Sequence, residues 1–219
     1  MKTLIAVPCM DMVAAGFSQS LAMLHRVGDC LVTHLAGSLV YDSRNKIAAM
    51  AVQHECDFVM WFDSDMVFEP DTLERLMKHM ESHDIVSGVY YRRTGTYKPV
   101  LYKELNVRGD GTVEAVEFDE LPKEDLFKAD GVGFGCVLMK TSVLIDMIMN
   151  EKDWFTPIGR AGEDLSFCLR AKKLGYEIWC DQTLRLGHVG QVIVTKEFFN
   201  AFSTAKEKQN ESKSNDSVL

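Results

Sequence analysis

Strand-like apolar segments alternate with helix-like segments over the first 91 residues of the chain. Strands are predicted at 4–7, 30–35, 57–62 and 84–91, and helices at 17–27, 44–54 and 69–80. The run at 57–62 is nearly all apolar, which predicts a central strand. Because parallel strands need crossover connections, this alternation predicts an α/β fold whose mostly parallel sheet is covered on both faces.

The rest of the chain has a different pattern. Apolar segments at 99–102 and 113–118 flank the turn sequence Arg108-Gly109-Asp110-Gly111, and they predict a small antiparallel part. Further helices are predicted at 141–149 and 164–174, and a late strand at 176–180. Residues 1–202 are therefore expected to form a single domain, and the polar residues 203–219 a disordered tail.

The charge and the apolar runs exclude some classes of protein. The net charge of −8 argues against a general nucleic-acid binder, because phosphate contacts favour basic proteins. The apolar run Leu4–Val7 is too short for a signal-peptide core, and no run approaches the length of a membrane span. We therefore expect a cytoplasmic protein whose six cysteines are free thiols.

Two carboxylates two residues apart, Asp63 and Asp65, follow directly after the predicted central strand. In an open α/β sheet, ligands bind at the carboxyl ends of the strands. If the backbone stays extended here, both side chains point the same way and can address one divalent cation, Mg²⁺ or Mn²⁺. The alternative is a solvated turn that leads into the helix at 69–80.

The motif Asp63-Ser64-Asp65 after an apolar strand resembles the Asp-x-Asp signature of GT-A glycosyltransferases, especially glycosyltransferase family 2. The segment Glu163-Asp164-Leu165-Ser166-Phe167 resembles the family's Glu-Asp-x-x-Phe segment, and Gly187-His188-Val189-Gly190 matches the histidine that follows it. These motifs appear in the family's order over roughly residues 3 to 190.

The resemblance implies a GT-A fold, with a mostly parallel central sheet and a small antiparallel part, in a single catalytic domain. It also implies a metal-dependent enzyme that moves a sugar from a nucleotide-diphosphate donor to an acceptor hydroxyl. It does not specify the sugar, the nucleotide base, the stereochemistry or the acceptor. The acceptor candidates are a glycan, a lipid-linked sugar, a protein and a modified base.

The metal ligands implied by the resemblance are Asp63, Asp65 and His188. An imidazole ligand is more typical of softer ions than Mg²⁺, so this set favours Mn²⁺. The glycines at 187 and 190 would allow the backbone to approach a ligand closely. The alternative for His188 is a surface histidine in a glycine-rich turn.

The catalytic residues implied by the resemblance are Asp164, as general base in an inverting enzyme, and Glu163, as its neighbour in contact with the acceptor. Acidic residues are also favoured at a helix N-terminus by the helix dipole alone. Both interpretations remain open from the sequence.

The resemblance implies that the nucleotide contacts three segments. They are the loop after the first strand, with Pro8 and Asp11; the start of the second helix, with Arg44 and Asn45; and the motif residues Asp63 and Ser64. For the second segment the alternative is a helix that Ser43 caps and on which Arg44 is exposed. Arg92 and Arg93, after the fourth strand, either contact phosphate or sugar or are a charged strand end.

Two other functions fit part of the pattern. A nucleotidyltransferase of related fold also needs acidic metal ligands, but its first loop commonly carries glycines and a basic residue, which Pro8-Cys9-Met10-Asp11 lacks. The other alternative is a non-catalytic module that binds nucleotide or carbohydrate. The presence of Asp63, Asp65, Asp164 and His188 together argues against it.

Overall fold

The computed structural model of the chain describes residues 1–37, 39–191 and 195–196. The chain divides into two units, Met1–Val189 and Gly190–Leu219. All the helices and strands below belong to the first unit. The predicted domain end at 202 and the predicted tail at 203–219 lie outside the described residues.

Twelve strands and five helices make up the first unit within the described ranges. The strands are β1 (Lys2–Cys9), β2 (Asp29–Ala36), β3 (Phe58–Phe62), β4 (Met66–Phe68), β5 (Ile85–Gly88), β6 (Leu101–Val107), β7 (Val113–Glu117), β8 (Leu126–Ala129), β9 (Gly131–Val132), β10 (Cys136–Lys140), β11 (Ile178–Asp181) and β12 (Leu186–His188). The helices are α1 (Ala15–Met23), α2 (Val40–Gln53), α3 (Thr72–His79), α4 (Thr141–Glu151) and α5 (Glu163–Lys173). None of the helices in the described ranges is both long and apolar enough to cross a membrane.

The central sheet has seven strands in the order β2-β1-β3-β10-β5-β11-β8. The pairings make β2, β1, β3, β5 and β11 run in one direction, whereas β10 and β8 run in the other. Two small antiparallel sheets, β12-β4 and β7-β6-β9, complete the fold. The predicted α/β class, with a mostly parallel sheet and a small antiparallel part, is therefore confirmed.

The position of β10 was not predicted. This strand inserts between β3 and β5, where Val137 pairs with Trp61 on one side and with Ser87 on the other. Residues 136–139 are all buried, so the strand is apolar on both faces. A strand of this kind is stable only where both faces are covered, and it therefore occupies the centre of the sheet.

Two predicted helix boundaries were wrong. The second helix begins at Val40, so Ser43 is a buried residue inside α2 and not its cap. No side chain caps this helix, and the backbone N–H of Ser43 donates to Leu39 O. The first helix ends at Met23 and not near 27, because Leu24 turns to an extended backbone and His25 N–H donates to Pro70 O.

The core has two parts, one on each face of the central sheet. Alternate residues of β3 point to opposite faces, so Val59 and Trp61 belong to one part while Met60 and Phe62 belong to the other. Helices α2, α4 and α5 cover the face with Trp61, and α1 and α3 cover the other.

An aromatic cluster connects α5 to the middle of the sheet. Phe167 of α5 stacks on Phe155 with ring centroids 4.8 Å apart and meets Phe134 edge-on at 4.9 Å. Trp61 of β3 contacts the same two rings at 5.2 and 6.1 Å. These four side chains are buried, and together they determine where the N-terminus of α5 lies relative to the end of β3.

We expect Phe167→Ala to lower the free energy of unfolding by about 3–5 kcal/mol, because it removes a buried ring from this cluster and leaves a cavity. Met149→Ala on the exposed side of α4 is the control and should stay within about 0.5 kcal/mol of the wild type. Urea denaturation of both variants measures the difference. Equal midpoints for the two variants would show that the cluster does not anchor α5.

Candidate active site

A cavity of about 470 Å³ opens at the carboxyl ends of β1 and β3. Its lining residues are Pro8, Cys9, Met10, Gly37, Val40, Arg44, Asp63, Ser64, Asp65, Arg93, Glu163 and His188. They come from segments that are distant in the sequence, and several are charged. The sheet brings them together because the parallel strands β1, β2 and β3 end at the same edge.

A tight turn gives the two motif carboxylates different partners. Asp63 donates its backbone N–H to Gly135 O (3.2 Å), and its own carbonyl accepts from Met66 N–H (3.1 Å). The backbone from 63 to 65 is therefore turned and not extended as the sequence analysis supposed. As a result, the Asp63 carboxylate contacts Arg44, whereas the Asp65 carboxylate contacts Arg93 and His188.

Arg44 is the most deeply buried charge of the site, with a side chain that is 2% exposed. Its Nη2 donates to Asp63 Oδ1 at 2.6 Å, and its Nε donates to Glu163 Oε1 at 3.3 Å. Burial disfavours the charged guanidinium, yet the two carboxylates hold the pKa of Arg44 above its ordinary value.

Three aromatic rings surround the same guanidinium. Its central carbon lies 5.3 Å from the ring centroid of Phe134, 5.7 Å from that of Trp61 and 5.8 Å from that of Phe155. Cation–π contacts of this kind stabilise a desolvated arginine. Because α2 begins at Val40, Arg44 lies in the second helical turn and points into the protein, not away from the start of the helix.

Glu163 and Asp164 begin α5, as the sequence analysis predicted, but only Glu163 lines the cavity. Asp164 is half-buried, and its Oδ1 accepts the backbone N–H of Leu165 at 2.7 Å. Burial, reinforced by the charge of Glu163, raises the pKa of Asp164 to about 6. The same oxygen would lie 2.7 Å from a Cβ at position 162, so a larger residue there would displace the Asp164 carboxylate.

Asp65 lies between an imidazole and a guanidinium. His188 Nε2 is 3.5 Å from Asp65 Oδ1, and Arg93 Nη1 contacts Oδ2. Burial acts to raise the pKa of Asp65, but the hydrogen bond with His188 and the nearby charges hold it below its ordinary value. The same hydrogen bond raises the pKa of His188.

The ring of His188 has a defined orientation. Its Nδ1 lies 3.0 Å from the backbone oxygen of Tyr91, and a carbonyl oxygen only accepts, so Nδ1 carries a proton. Nε2 faces Asp65, to which it donates when the ring is protonated; in the neutral ring Nε2 has no proton and can bind a metal ion. His188 itself is the last residue of β12, which pairs with β4 through Gly187 and Val67.

A divalent cation fits the Asp65 and His188 pair better than the predicted set of three. In the described part of the chain, no group of three His, Cys, Asp or Glu side chains could hold a metal ion. Asp65 Oδ1 and His188 Nε2, however, are an oxygen and a nitrogen whose separation suits two ligands of one ion, once the ion has displaced the Nε2 proton. Asp63 is turned toward Arg44 instead.

The residues predicted to contact a nucleotide separate into two groups. Pro8 and Ser64 line the cavity along with Asp63 and Arg44. Asp11 and Asn45 do not line it. Asn45 instead accepts the backbone N–H of Phe155 at 2.8 Å and donates to Thr156 at 3.2 Å, and so holds the segment that packs on Arg44.

The role of Arg93 was open from the sequence, Cys9 and Met10 belong to the predicted nucleotide loop, and Gly37 and Val40 were not predicted; all of them line the cavity. The signal for Arg93 was its place just after the carboxyl end of a predicted parallel strand, the same rule that selected Asp63. Gly37 and Val40 follow the end of β2 but carry no charge, so nothing in their side chains marked them.

The chain is similar to known proteins in sequence and in fold. A family model described as Glycosyl transferase family 2 matches residues 29–148, more than half of the chain. The match includes the Asp63-Ser64-Asp65 turn, Arg44 and Arg93 but ends before α5. No curated protein matches the chain.

Solved structures resemble the chain in fold. The crystal structure of A197 from STIV has a TM-score of 0.58 at 19% identity, with 87% of each chain covered. The crystal structure of GalNAc-T7 with UDP, GalNAc and Mn²⁺ has a TM-score of 0.60 at 8% identity. In the latter case the match covers 87% of this chain but only 43% of the other.

We expect Arg44→Leu to lower the free energy of unfolding by about 1–3 kcal/mol near pH 7, because it leaves two partly buried carboxylates without their counter-charge. The double variant Arg44→Leu, Glu163→Gln should recover part of that loss, since one of those carboxylates becomes neutral. Urea denaturation at constant salt measures both. If the second change gives no recovery, the ion pair between Arg44 and Glu163 is not the reason for the loss.

Proposed function

Because the chain belongs to glycosyl transferase family 2 and has the GT-A fold, we propose that it transfers a sugar from a nucleotide-diphosphate donor to an acceptor hydroxyl with the help of a divalent cation. The observation that carries the proposal is the convergence of Asp63, Asp65, Glu163 and His188 on one cavity at the carboxyl edge of the sheet. These side chains come from three segments that lie between residues 63 and 188, and each segment carries one of the family motifs.

The charges of the cavity support a role for a cation. Three carboxylates, Asp63, Asp65 and Glu163, line it against two guanidinium groups, Arg44 and Arg93. Arg44 is already neutralised by two of those carboxylates. A diphosphate that entered would therefore meet uncompensated negative charge, and a divalent ion would offset it.

Asp65 and His188 would hold the cation, with the remaining ligands supplied by phosphate oxygens and water. A bound Mn²⁺ or Mg²⁺ would neutralise the charge that develops on the departing diphosphate. The contact between His188 Nδ1 and Tyr91 O contributes by directing the free Nε2 toward Asp65, as outer contacts of metal-binding histidines generally do. Mn²⁺ is favoured over Mg²⁺ because one ligand is a nitrogen.

The donor nucleotide would lie along the ends of β1 and β3. Pro8 and Ser64 would contact it directly, and Asp63 would contact the ribose or, through water, the cation. Arg44 would act by holding Asp63 in place. Asn45 would act further out, through the segment at Phe155, and Asp11 would approach from the loop that follows β1.

Asp164 would be the general base, with Glu163 in contact with the acceptor. A base that accepts a proton from a hydroxyl works best when its pKa lies close to the pH of the reaction. Burial and the neighbouring Glu163 raise the pKa of Asp164 to about 6, which brings this carboxylate nearer to that range. The proximity of Asp164 to Asp63 and Arg44, both of which influence its pKa, favours this role.

A panel of nucleotide sugars tests the function. We expect one donor to raise the melting temperature in the presence of Mn²⁺, because a ligand that binds only the folded state stabilises it. Slow Mn²⁺-dependent hydrolysis of the same donor should accompany this shift. Asp65→Ala should abolish both effects, and His188→Ala should weaken Mn²⁺ affinity by roughly 10- to 100-fold.

The control for this panel is Asp29→Ala, which removes an exposed carboxylate at the opposite end of the sheet from the cavity. It should respond to donor and Mn²⁺ as the wild type does. Full Mn²⁺-dependent binding by the Asp65 variant would contradict the proposed metal site. A chain that binds none of the donors, with or without Mn²⁺, would contradict the function.

Asp164→Asn should reduce the transfer rate by roughly 10²- to 10⁴-fold and leave donor binding nearly unchanged, because the amide keeps the shape but cannot accept a proton. In the wild type the base must be ionised, so kcat/KM should rise with pH and level off above about pH 6. Glu163→Gln should move that midpoint to lower pH, because the Glu163 charge raises the pKa of Asp164. A pH profile that is unchanged in the Glu163 variant would remove Asp164 from the role of base.

A further inference from the structure

Arg93 lies on a short excursion of the chain beyond β5. Tyr91 forms a β-bridge with Pro99, and the backbone N–H of Arg92 donates to Lys98 O at 3.0 Å. Residues 93–98 therefore form a loop whose two ends are held together. The side chain of Arg93 is 48% exposed and lines the cavity. It is therefore a solvated cation at the entrance to the site, in contrast to the buried Arg44.

Arg93 contacts Asp65, the carboxylate that would hold the cation in the proposed function. Its Nη1 contacts Asp65 Oδ2 and lies 3.4 Å from Val189 O, while His188 Nε2 approaches Oδ1. Both oxygens of Asp65 are thus engaged, one by a guanidinium and one by the imidazole. The backbone N–H of Val189 also donates to Asp65 O at 2.8 Å, which holds Val189 next to Asp65 and Arg93.

A divalent ion and this guanidinium cannot both occupy Asp65 without a large repulsion. An ion held by Asp65 and His188 would lie a few ångströms from Arg93 Nη1, where charges of the same sign repel strongly. The ion pair between Arg93 and Asp65 is partly exposed, with the two side chains 48% and 24% exposed, so water can replace the guanidinium at little cost. The arginine therefore yields its place readily.

The displaced guanidinium has an anionic partner within the proposed function. The diphosphate of a nucleotide in the same cavity would offer oxygens that match the donor geometry of arginine, which binds phosphate in a bidentate manner. Arg44 cannot serve in this way because two carboxylates already hold it. Among the basic side chains that line the cavity, Arg93 alone is free to move between a carboxylate and a phosphate.

We propose that Arg93 is an exchangeable cation, which competes with the divalent ion for Asp65 and, once displaced, binds the diphosphate of the donor. This proposal rests on the proposed metal site at Asp65 and His188. It assigns Arg93 two effects of opposite sign. Arg93 weakens the binding of the cation alone, and it strengthens the binding of the nucleotide that arrives with the cation.

Titration of Mn²⁺ alone, followed by the electron paramagnetic resonance signal of the free ion, tests the first effect. Arg93→Gln should tighten Mn²⁺ binding by roughly two- to fivefold, the range that corresponds to the loss of an exposed ion pair. Titration of UDP at saturating Mn²⁺ by calorimetry tests the second effect. The same variant should weaken UDP binding about tenfold or more, because a charge-assisted hydrogen bond is lost.

Two matched variants distinguish position from charge. Arg92→Gln removes the neighbouring arginine, whose partners are Tyr102 and Glu117 and not Asp65, and it should change neither titration. Arg93→Lys keeps the charge and should keep Mn²⁺ affinity near that of the wild type while it loses part of the UDP affinity. Equal responses of the Arg92 and Arg93 variants would overturn the proposal.

Asp65→Asn separates failure of this proposal from failure of the metal site. If Asp65→Asn abolishes Mn²⁺ binding but Arg93→Gln leaves it unchanged or weakens it, the exchange is overturned and the metal site stands. If Asp65→Asn leaves Mn²⁺ binding unchanged, the metal site and the exchange are both overturned. Opposite shifts of Mn²⁺ and UDP affinity in Arg93→Gln alone support the exchange.

Discussion

The guanidinium of Arg44 connects the two halves of the site, and the position of each half depends on it. It donates to Asp63 at the end of β3 and to Glu163 at the start of α5, residues that are far apart in the sequence. Buried among three aromatic rings, it has little access to water, so its charge must be balanced by those carboxylates. The two carboxylates in turn are held in place by the guanidinium that both of them contact.

The two arginines of the site differ in burial. Arg44 is buried and paired with two carboxylates, so it serves to maintain geometry. Arg93 is half exposed and paired with one carboxylate that the proposed reaction needs for a cation. The physical difference is desolvation, because a buried pair is costly to break whereas an exposed pair is exchanged at little cost. Arg44 therefore fixes the geometry of the site, whereas Arg93 can change its partner.

The sheet explains why the site forms where it does. The reversed strand β10 inserts between β3 and β5, and the carbonyl of Gly135 just before it accepts the backbone N–H of Asp63. That bond, together with the one from Met66 to Asp63, bends the chain directly after β3. The two motif carboxylates therefore contact different arginines: Asp63 contacts the buried Arg44, and Asp65 contacts Arg93 at the entrance to the cavity. In the proposed function, Asp63 would face the donor and Asp65 the metal ion, and an extended Asp-x-Asp would not separate these two roles.

Local patterns in the sequence were sufficient for the fold class and for most of the site. The apolar run at 57–62 and the alternation around it predicted a covered sheet, because a strand buried on both faces must be apolar throughout. The rule that ligands bind at the carboxyl ends of strands then selected Asp63 and Asp65, and the family motifs added Glu163, Asp164 and His188. The family itself is confirmed by the match over residues 29–148. The roles of these residues remain proposals.

Tertiary structure alone decided the features that depend on contacts between distant segments. No periodicity shows that β10 pairs with β3, that Arg44 is buried, or that Asp65 contacts Arg93. Periodicity reports which face of an element is apolar, not which element covers it, and a charged residue in a helix is usually exposed. Arg44 departs from that expectation only because two carboxylates and three rings from elsewhere in the chain compensate its burial. The sequence by itself therefore determined the elements and the chemistry they carry, and the packing of those elements decided which charges meet.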